Sequence, residues 1–416
     1  MRGRPMPLLL RNVRLSNGML TDLALVDGRI EASCSLFAAA ESIDVHGNLA
    51  MPGFVEPHVH LDKCYLADEA VMGDLGEWGG LKKMVEIKRT VSKEDILRRA
   101  RRAVETAVLH GTTAIRTQVD VDPIIGLKGV EALSQLREEL RSLVSLQIVA
   151  FPQEGIVRSP GAKELLEEAL KMGADAIGGG PCNDTDREKH LDVVFELAER
   201  FDVDIDLHVD SDPGLTAENY PGSWDLPAIL KRDKMHGFEG RVTLAHFCSL
   251  SNLTSREAAP LIEEVARHRF HVVVCPTSEV HAGGREAATQ TPRNITRVKD
   301  LLQAGVNVTL SFDNMRDPLV PFGNANPLEE AVLLAKLCHL GTVEGLRMLW
   351  NVATVNGAKL MRLPQQEGLT TGAPADLILL NAMDPVQAML DGSPPYLVIK
   401  GGRKVARTKI DREILS

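Results

Sequence analysis

Eight apolar, β-like runs alternate with helical stretches through the middle of the chain, and this alternation constrains the fold most strongly. The helical stretches, such as Leu97–Leu109 and Leu165–Met172, are rich in Glu, Lys, Arg, Ala and Leu. The β-like runs are Ala50–Val55, Thr112–Val119, Ser145–Phe151, Ala174–Gly178, Val203–Leu207, Arg241–Ala245, Phe270–Cys275 and Val306–Ser311. Strands interleaved with helices in this way predict an α/β fold with a closed parallel (β/α)8 TIM barrel. The alternative is a doubly wound open sheet, but the glycine-rich phosphate turn that it favours after its first strand is absent.

The two ends of the chain have a different pattern, made of short strands and turns. Leu8–Leu15 precedes the turn signal Ser16-Asn17-Gly18, and near the other end Tyr396–Lys400 precedes Gly401-Gly402. These ends predict one small β-sandwich domain formed by residues 1–50 and 364–416. Residues 51–363 are then assigned to the barrel.

Charge and composition exclude several classes of partner. The 416 residues carry a net charge of −10, which argues against a nucleic acid polymer because phosphate binding needs clustered cations. No apolar run approaches the ~20 residues of a membrane helix, and the N-terminal apolar run is too short for a secretory signal. Six scattered cysteines without a Cys-x-x-Cys pair are typical of thiols in a reducing compartment. We expect a cytoplasmic protein with no membrane partner, and we also expect a homo-oligomer.

A long connection, residues 66–92, follows the first predicted barrel strand. It contains four glycines around Trp78, and long βα loops with glycine hinges are often active-site lids. A helical surface insertion explains the same pattern, so both interpretations stay open.

The chemistry of a parallel barrel lies at the carboxyl ends of its strands, so polar residues at those ends are candidates for a site. His58 and His60 end the first strand and, two residues apart in an extended backbone, point to the same side. The fifth strand ends at His208, the sixth at His246 and the eighth near Asp313. Three imidazoles and a carboxylate suit Zn²⁺ or Fe²⁺ with an open position for water. We expect His58, His60, His208 and Asp313 to bind one divalent metal, with His246 beside it.

A second metal is not expected. In this architecture a binuclear site usually has a bridging ligand, typically a modified lysine from the fourth strand. That strand runs Ile177-Gly178-Gly179-Gly180-Pro181 and has neither a lysine nor a carboxylate at its tip.

These residues resemble the amidohydrolase superfamily, and more narrowly its cytosine deaminase branch. The resemblance rests on His58-Val59-His60, on the stretch Ala150–Gly155 after the third strand, and on His208, His246 and Asp313 in the same order. It extends from about residue 50 to residue 405. It implies a metal-dependent aminohydrolase in which Gln153 binds the edge of a pyrimidine-like ring.

The sequence departs from cytosine deaminases at two positions. Ser211 stands three residues after His208, where those enzymes have a glutamate that moves protons, and a serine hydroxyl is no carboxylic acid near neutral pH. Asn314 replaces a second aspartate and offers both a donor and an acceptor. Lys63, just past the second metal histidine, is instead similar to the N-isopropylammelide isopropylaminohydrolase branch.

Together these features predict hydrolytic removal of an amino group from a free heterocycle such as cytosine, isocytosine or an amino- or alkylamino-s-triazine. In this hypothesis Asp313 takes a proton from the attacking water and His246 donates to the tetrahedral centre, while Gln153, Asn314 and Ser211 contact the ring. The candidates for protonating the leaving group are Asp313, Lys63, Asp210 and a water held by Ser211. The alternatives are hydrolysis of a cyclic amide (lactam) and a metal-retaining scaffold without catalysis.

Overall fold

The computed structural model describes residues 7–31, 41–69, 76–212, 214–285, 287, 289, 293–364 and 368–415. The strands in these residues are β1 (Leu8–Arg14), β2 (Leu20–Val26), β3 (Arg29–Glu31), β4 (Glu41–Asp44), β5 (Leu49–Pro52), β6 (Phe54–Val59), β7 (Thr112–Asp120), β8 (Ser145–Phe151), β9 (Ala176–Gly179), β10 (Asp204–Val209), β11 (Val242–His246), β12 (His271–Val274), β13 (Asn307–Leu310), β14 (Leu377–Leu380), β15 (Pro395–Lys400) and β16 (Arg403–Arg407).

The α-helices lie mainly between the strands of the middle of the chain. They are α1 (Leu66–Glu69), α2 (Gly76–Lys88), α3 (Lys93–Leu109), α4 (Lys128–Leu140), α5 (Ala162–Lys171), α6 (Arg187–Phe201), α7 (Leu226–His236), α8 (Ser255–Arg267), α9 (Pro276–Ala282), α10 (Val298–Gln303), α11 (Pro327–Leu337), α12 (Val343–Ala353), α13 (Val355–Leu360) and α14 (Pro385–Leu390). None of the helices in the described part of the chain is both long and apolar enough to cross a membrane.

Strands β6 to β13 pair in sequence order, and every neighbouring pair is parallel. The first and last strands meet at their carboxyl ends, where Val59 bridges Asp313 and the backbone N–H of His60 donates to the carbonyl of Asp313 at 3.1 Å. The side chain of Glu56 adds to this seam because its Oε2 accepts from the backbone N–H of Phe312 at 3.0 Å. The predicted (β/α)8 barrel is confirmed.

The first barrel strand begins later than the sequence indicated. The run Ala50–Val55 is divided: β5 pairs antiparallel with β14, and only from Phe54 onward does the chain enter the barrel. Gly53 lies at the division, where a Cβ atom would stand 2.3 Å from the side chain of Thr113. The strand continues to Val59 and so includes His58, which lies where the pairing register with β7 shifts between Glu56 and Val59.

The remaining strands form a second sheet in the order β16-β15-β14-β5-β1-β2-β3, with β4 paired to β1. This sheet has its own apolar core, to which both ends of the chain contribute: Leu8, Leu10, Val13, Leu23, Leu25, Ile30, Val45, Ala50, Ala375, Leu377, Leu379, Leu397 and Ile399. A separate β domain built from both termini is thus confirmed, whereas the domain boundaries given above remain predictions.

The connection after the first barrel strand contains α1 and α2, and residues 70–75 of it lie outside the described residues. Helix α2 approaches the loop after β13 closely, since a Cβ on Gly80 would lie 2.6 Å from the carbonyl of Pro318. Lys88, the last residue of α2, is buried. Movement of this segment as a lid stays a prediction.

Candidate metal and active site

Five side chains from the ends of four strands converge at the mouth of the barrel. His58 lies in β6 and His60 just after it, His208 in β10, His246 at the end of β11, and Asp313 just after β13. His246 and Asp313 have φ values of +68° and +53°, a left-handed conformation that costs roughly 1–3 kcal/mol for such residues. The backbone of both residues is therefore strained, which is common at functional sites.

The converging atoms form a set suited to a cation. The Nε2 atom of His208 lies 3.1 Å from Nε2 of His58 and 3.3 Å from Nε2 of His60, and Nε2 of His60 lies 3.5 Å from Oδ1 of Asp313. Oδ1 of Asp313 is buried and has no hydrogen-bond partner among the described residues. Burial lowers the pKa of His60 and His208 well below the ordinary value, which favours the neutral imidazole that metals bind. This N₃O donor set fits one divalent metal.

His246 stands beside these ligands. One of its ring nitrogens lies within 4.8 Å of ligand atoms of His58, His208 and Asp313, and its ring centroid is 5.0 Å from that of His208. Its Nδ1 atom lies 3.7 Å from Oε1 of Glu279, which is buried on α9. The structure thus brings His246 to the candidate metal ligands, as the sequence indicated, and places the carboxylate of Glu279 beside it.

Buried polar side chains contact His58 at Nδ1, the ring nitrogen that does not face His208. Nδ1 of His58 lies 3.1 Å from Oδ1 of Asp206 and 3.1 Å from Nε2 of Gln118. Partners of this kind fix the tautomer and the ring orientation of a metal-binding histidine. The sequence analysis missed Asp206, although a signal was present: it lies two residues before His208 on β10, so both side chains face the barrel interior.

Glu56 holds the seam between β6 and β13 together. Its Oε1 accepts from the backbone N–H of His58 at 2.9 Å and from the hydroxyl of Ser311 at 2.5 Å. Burial raises the pKa of Glu56 to about 8. The two strand ends that carry His58 and Asp313 are therefore joined through one buried carboxyl group.

Lys63 belongs to a buried charge network next to the site. Its Nζ lies 2.8 Å from Oδ1 of Asp120, donates to Oε1 of Gln153 at 2.9 Å and lies 3.1 Å from Nδ1 of His60. Lys88 contacts the other oxygen of Asp120 at 2.6 Å. Lys63 is not among the residues that line the cavity described below, but it contacts two residues that do, Gln153 and His60.

A cavity of about 190 Å³ opens over three of the candidate metal-binding side chains, those of His60, His208 and Asp313. Gln153, Ser211 and Asn314 line it, as the sequence indicated, together with His60, His208, His246 and Asp313. Ser278 and Glu279 of α9 also line it, and their Oγ and Oε2 atoms are buried without hydrogen-bond partners among the described residues. The cavity thus lies between the candidate metal-binding cluster and two residues of α9 that carry buried, unpartnered polar atoms.

Asp210 has a structural partner and lies outside this cavity lining. Its two oxygens accept from the backbone N–H groups of Asp225 at 2.7 Å and Leu226 at 3.0 Å, at the start of α7. Burial, followed by the nearby carboxylate of Asp225, raises the pKa of Asp210 to about 7. Both oxygens already have partners, so Asp210 is the weakest of the sequence-derived candidates for delivering a proton to a leaving group.

Comparison with known proteins agrees with this geometry. The amidohydrolase family matches residues 41–406. N-isopropylammelide isopropyl amidohydrolase from Pseudomonas sp. (strain ADP) is 31% identical, covering 97% of this chain and 98% of its own. Pterin deaminase from Rhizobium rhizogenes is 28% identical, covering 94% of this chain and 89% of its own.

Solved structures extend the comparison to the fold. The structure of 5-methylcytosine deaminase from Klebsiella pneumoniae liganded with 5-fluorocytosine has a TM-score of 0.89 and 29% identity, and the match covers 99% of each chain. N-isopropylammelide isopropylaminohydrolase from Burkholderia multivorans has a TM-score of 0.85 and 31% identity, covering 97% of this chain and 99% of that one. The resemblance seen in the sequence is confirmed: the chain belongs to the amidohydrolase family, and it is a hydrolase of carbon–nitrogen bonds.

Proposed function

We propose that this enzyme is a hydrolytic deaminase that removes an amino or alkylamino group from a ring carbon of a free N-heterocycle. The observation that carries the proposal is the convergence of three imidazoles and a carboxylate on a small cavity that Gln153 and Asn314 also line. Relatives named for 5-methylcytosine, pterin and N-isopropylammelide support a substrate of this class.

The orientation of two side-chain amides narrows the range of substrates that the cavity would bind. Gln153 receives the Lys63 ammonium on its Oε1, which leaves its NH₂ group as the donor for a ligand. Asn314 donates its own NH₂ group to Oδ2 of Asp317 at 2.5 Å, which leaves its Oδ1 as an acceptor. A donor and an acceptor together match a ring oxo group and a ring N–H. The favoured substrates therefore carry a lactam edge, as cytosine, isocytosine, ammelide and N-alkylammelides do.

The side chains that would hold the metal are those of His58, His60, His208 and Asp313. The metal is Zn²⁺ or Fe²⁺, because a set of three imidazoles and one carboxylate suits both. When bound, such a cation lowers the pKa of a coordinated water towards ~7 and so supplies a nucleophile at neutral pH.

In the proposed mechanism, side chains of the protein accept and donate the protons. Asp313 accepts a proton from the attacking water, and His246 donates to the tetrahedral centre as the ring carbon gains its new C–O bond. Ser211 contributes a hydroxyl that binds substrate or water, without acid–base capacity near neutral pH. The C–N bond breaks, and one water proton finally resides on the departing ammonia or amine. Lys63 supports this chemistry by holding Gln153 and His60.

The decisive experiment is a screen of the purified enzyme with cytosine, isocytosine, ammelide and N-alkylammelides, with metal content measured on the same sample. We expect released ammonia or amine from at least one ring, with loss of activity on chelation and recovery on adding Zn²⁺ or Fe²⁺. Ring opening without amine release would instead indicate the lactam hydrolase, and no turnover by metal-loaded enzyme would indicate a non-catalytic scaffold.

Asp313→Ala tests the proposed catalytic carboxylate. The variant removes both a metal ligand and the group that accepts a proton from water, so we expect turnover to be abolished and metal content to fall. Glu330→Gln is the matched control, since it changes a buried carboxyl group that contacts Thr277 and neither lines the cavity nor belongs to the proposed metal ligands. Asp313→Ala with normal activity would contradict the assignment.

We propose that the enzyme acts in the cytoplasm on small molecules. We also propose that it forms a homo-oligomer. The cysteines within the described residues form no disulfide bonds, which supports a reducing compartment. Sedimentation of the purified enzyme would test the assembly state.

A further inference from the structure

Glu279 is a buried carboxylate that the sequence resemblance does not explain. It lies on α9, a helix of the barrel that begins at Pro276 directly after β12, and it is 2% exposed. Its Oε1 accepts from the backbone N–H of Cys275 at 2.9 Å and lies 3.7 Å from Nδ1 of His246. Glu279 lines the cavity, and its Oε2 atom is buried without a hydrogen-bond partner among the described residues.

The chemistry of the site needs such a group. Ser211 lines the same cavity but cannot act as a carboxylic acid, so the amine must be protonated through another group. His246 faces the metal-binding cluster on one side and Glu279 on the other, the arrangement in which a carboxylate orients an imidazole for proton transfer. No other carboxylate besides Asp313 lines the cavity in the described part of the chain.

We propose that Glu279 is the positioning residue for His246. Its carboxylate accepts from Nδ1–H and holds the ring so that Nε2 faces the reacting centre, where it passes a proton to the leaving amine. In this step the C–N bond breaks, its electron pair goes to nitrogen, and the nitrogen takes the proton from Nε2. That proton comes from the attacking water: Asp313 accepts it and passes it to the unprotonated Nε2 of His246, whose ligand atom lies within 4.8 Å of that of Asp313. The balance therefore closes on one water, one product ring and one amine. This inference rests on the proposed deaminase function.

Glu279→Gln removes the charge and keeps the shape, including the acceptor for Cys275. We expect kcat to fall by about 100-fold, within the range of acid–base contributions, with KM changed less than about threefold. Glu279→Asp keeps the charge with a shorter reach and should recover part of the lost kcat. Glu330→Gln is the matched control, because Glu330 is also buried and contacts Thr277 of the same helix but does not line the cavity.

A second readout separates orientation from stability. Histidine ¹⁵N NMR of the metal-loaded enzyme, with His246 assigned through His246→Asn, should show the Nδ1–H tautomer in the wild type. Glu279→Gln should change that signal, whereas Glu330→Gln should not. This readout requires no turnover, so inactivity of the wild type on every ring would overturn the proposed function while the Glu279–His246 pair is still tested.

Three results would overturn the inference. The first is a wild-type kcat and tautomer in Glu279→Gln. The second is an equal loss of kcat in Glu279→Gln and Glu330→Gln, which would assign the effect to packing of α9. The third is two metals per chain in the wild type and one in Glu279→Gln, because Glu279 would then be a ligand together with His246 and Cys275, whose ligand atoms lie within 4.8 Å of one another.

Discussion

Position 211 carries a hydroxyl where the resemblance to cytosine deaminases implies a carboxylate, and this single difference redistributes the roles of the neighbouring residues. A serine can hold a water or a substrate atom, but it cannot exchange a proton as a carboxyl group does near neutral pH. The carboxylates that do line the cavity are Asp313 and Glu279, and both lie close to imidazoles. In the proposed mechanism, proton transfer is therefore concentrated on the side of the cavity formed by β11, β13 and α9.

Lys63 lies outside the cavity lining but orients the side-chain amide of Gln153, which we propose contacts the substrate. Its ammonium donates to Oε1 of Gln153 and so determines which end of that amide faces a ligand. Lys63→Met should raise KM for a lactam-edged ring by about 10-fold or more, because one oriented polar contact contributes about 1.4 kcal/mol or more. The measurement is steady-state kinetics, with kcat expected to change less than KM.

Lys88→Met is the control for this variant. It breaks the same buried network at Asp120 but removes no direct contact to Gln153 or His60. Both variants should lose stability, because removing one partner of a buried ion pair costs about 3–5 kcal/mol. Equal rises in KM for the two variants would show that Lys63 acts only through folding.

At the scale of elements, the loops after β8 and β9 depend on each other through one carboxylate. Asp184, with a fully buried side chain, accepts from the backbone N–H groups of Ile156, Val157 and Arg158 at 2.6 to 2.8 Å. It also lies 2.9 Å from Nδ1 of His190 on α6. The loop that Asp184 holds begins just after Gln153. The position of the Gln153 side-chain amide, which we propose contacts the substrate, should therefore depend on a residue of the next βα unit.

Asp184→Asn should destabilise the protein by about 2 kcal/mol at pH 7, because hydrogen bonds to a charged group contribute about 1.5–3 kcal/mol. Hydrogen bonds from His190 and the three backbone N–H groups hold the pKa of Asp184 below its usual range, although burial opposes them. A carboxyl with a lowered folded pKa stabilises the fold above its unfolded pKa of about 3.9 and loses that contribution as pH falls through the folded value. Urea unfolding should therefore show a full difference near neutral pH that shrinks only under acid conditions.

Asp186→Asn is the control for this change. Asp186 is the N-cap of α6 and accepts from the backbone N–H of Lys189, and asparagine caps helices about as well as aspartate. We expect little change in its unfolding curve. An Asp184→Asn protein as stable as the wild type at pH 7 would show that the backbone contacts, rather than the charge, hold the loop.

At the scale of the whole molecule, the strand and helix pattern was enough to predict the barrel, the β domain from both termini, and the strand ends that carry the histidines. The pattern did not place the start of β6, because β5 and β6 are both apolar and differ only in which sheet they join. Asp206 and Glu56 could have been found from alternation along their strands. The place of Glu279 after the seventh strand suggests only that it could border the pocket, because its approach to His246 depends on how α9 packs beside β11, which no local pattern encodes.

The metal-binding side chains also join distant parts of the chain, so metal should affect the stability of the whole barrel. His58 and His60 lie at one side of the seam and Asp313 at the other, while His208 comes from the opposite part of the sheet order. A ligand that binds only the folded state stabilises it by about 2.7 kcal/mol at 100 times its Kd and by about 4.1 kcal/mol at 1,000 times. Removal of the metal should therefore lower Tm measurably in differential scanning calorimetry.

The wild type stripped with a chelator should recover its Tm when Zn²⁺ or Fe²⁺ is restored. In Asp313→Ala the difference between metal-loaded and stripped protein should shrink, because one of the four ligands is missing. In Glu279→Gln it should persist, since that residue is assigned to His246 and not to the metal. A stripped wild-type protein with an unchanged Tm would contradict a metal that bridges the seam, because a bound cation cannot favour the folded state without raising its stability.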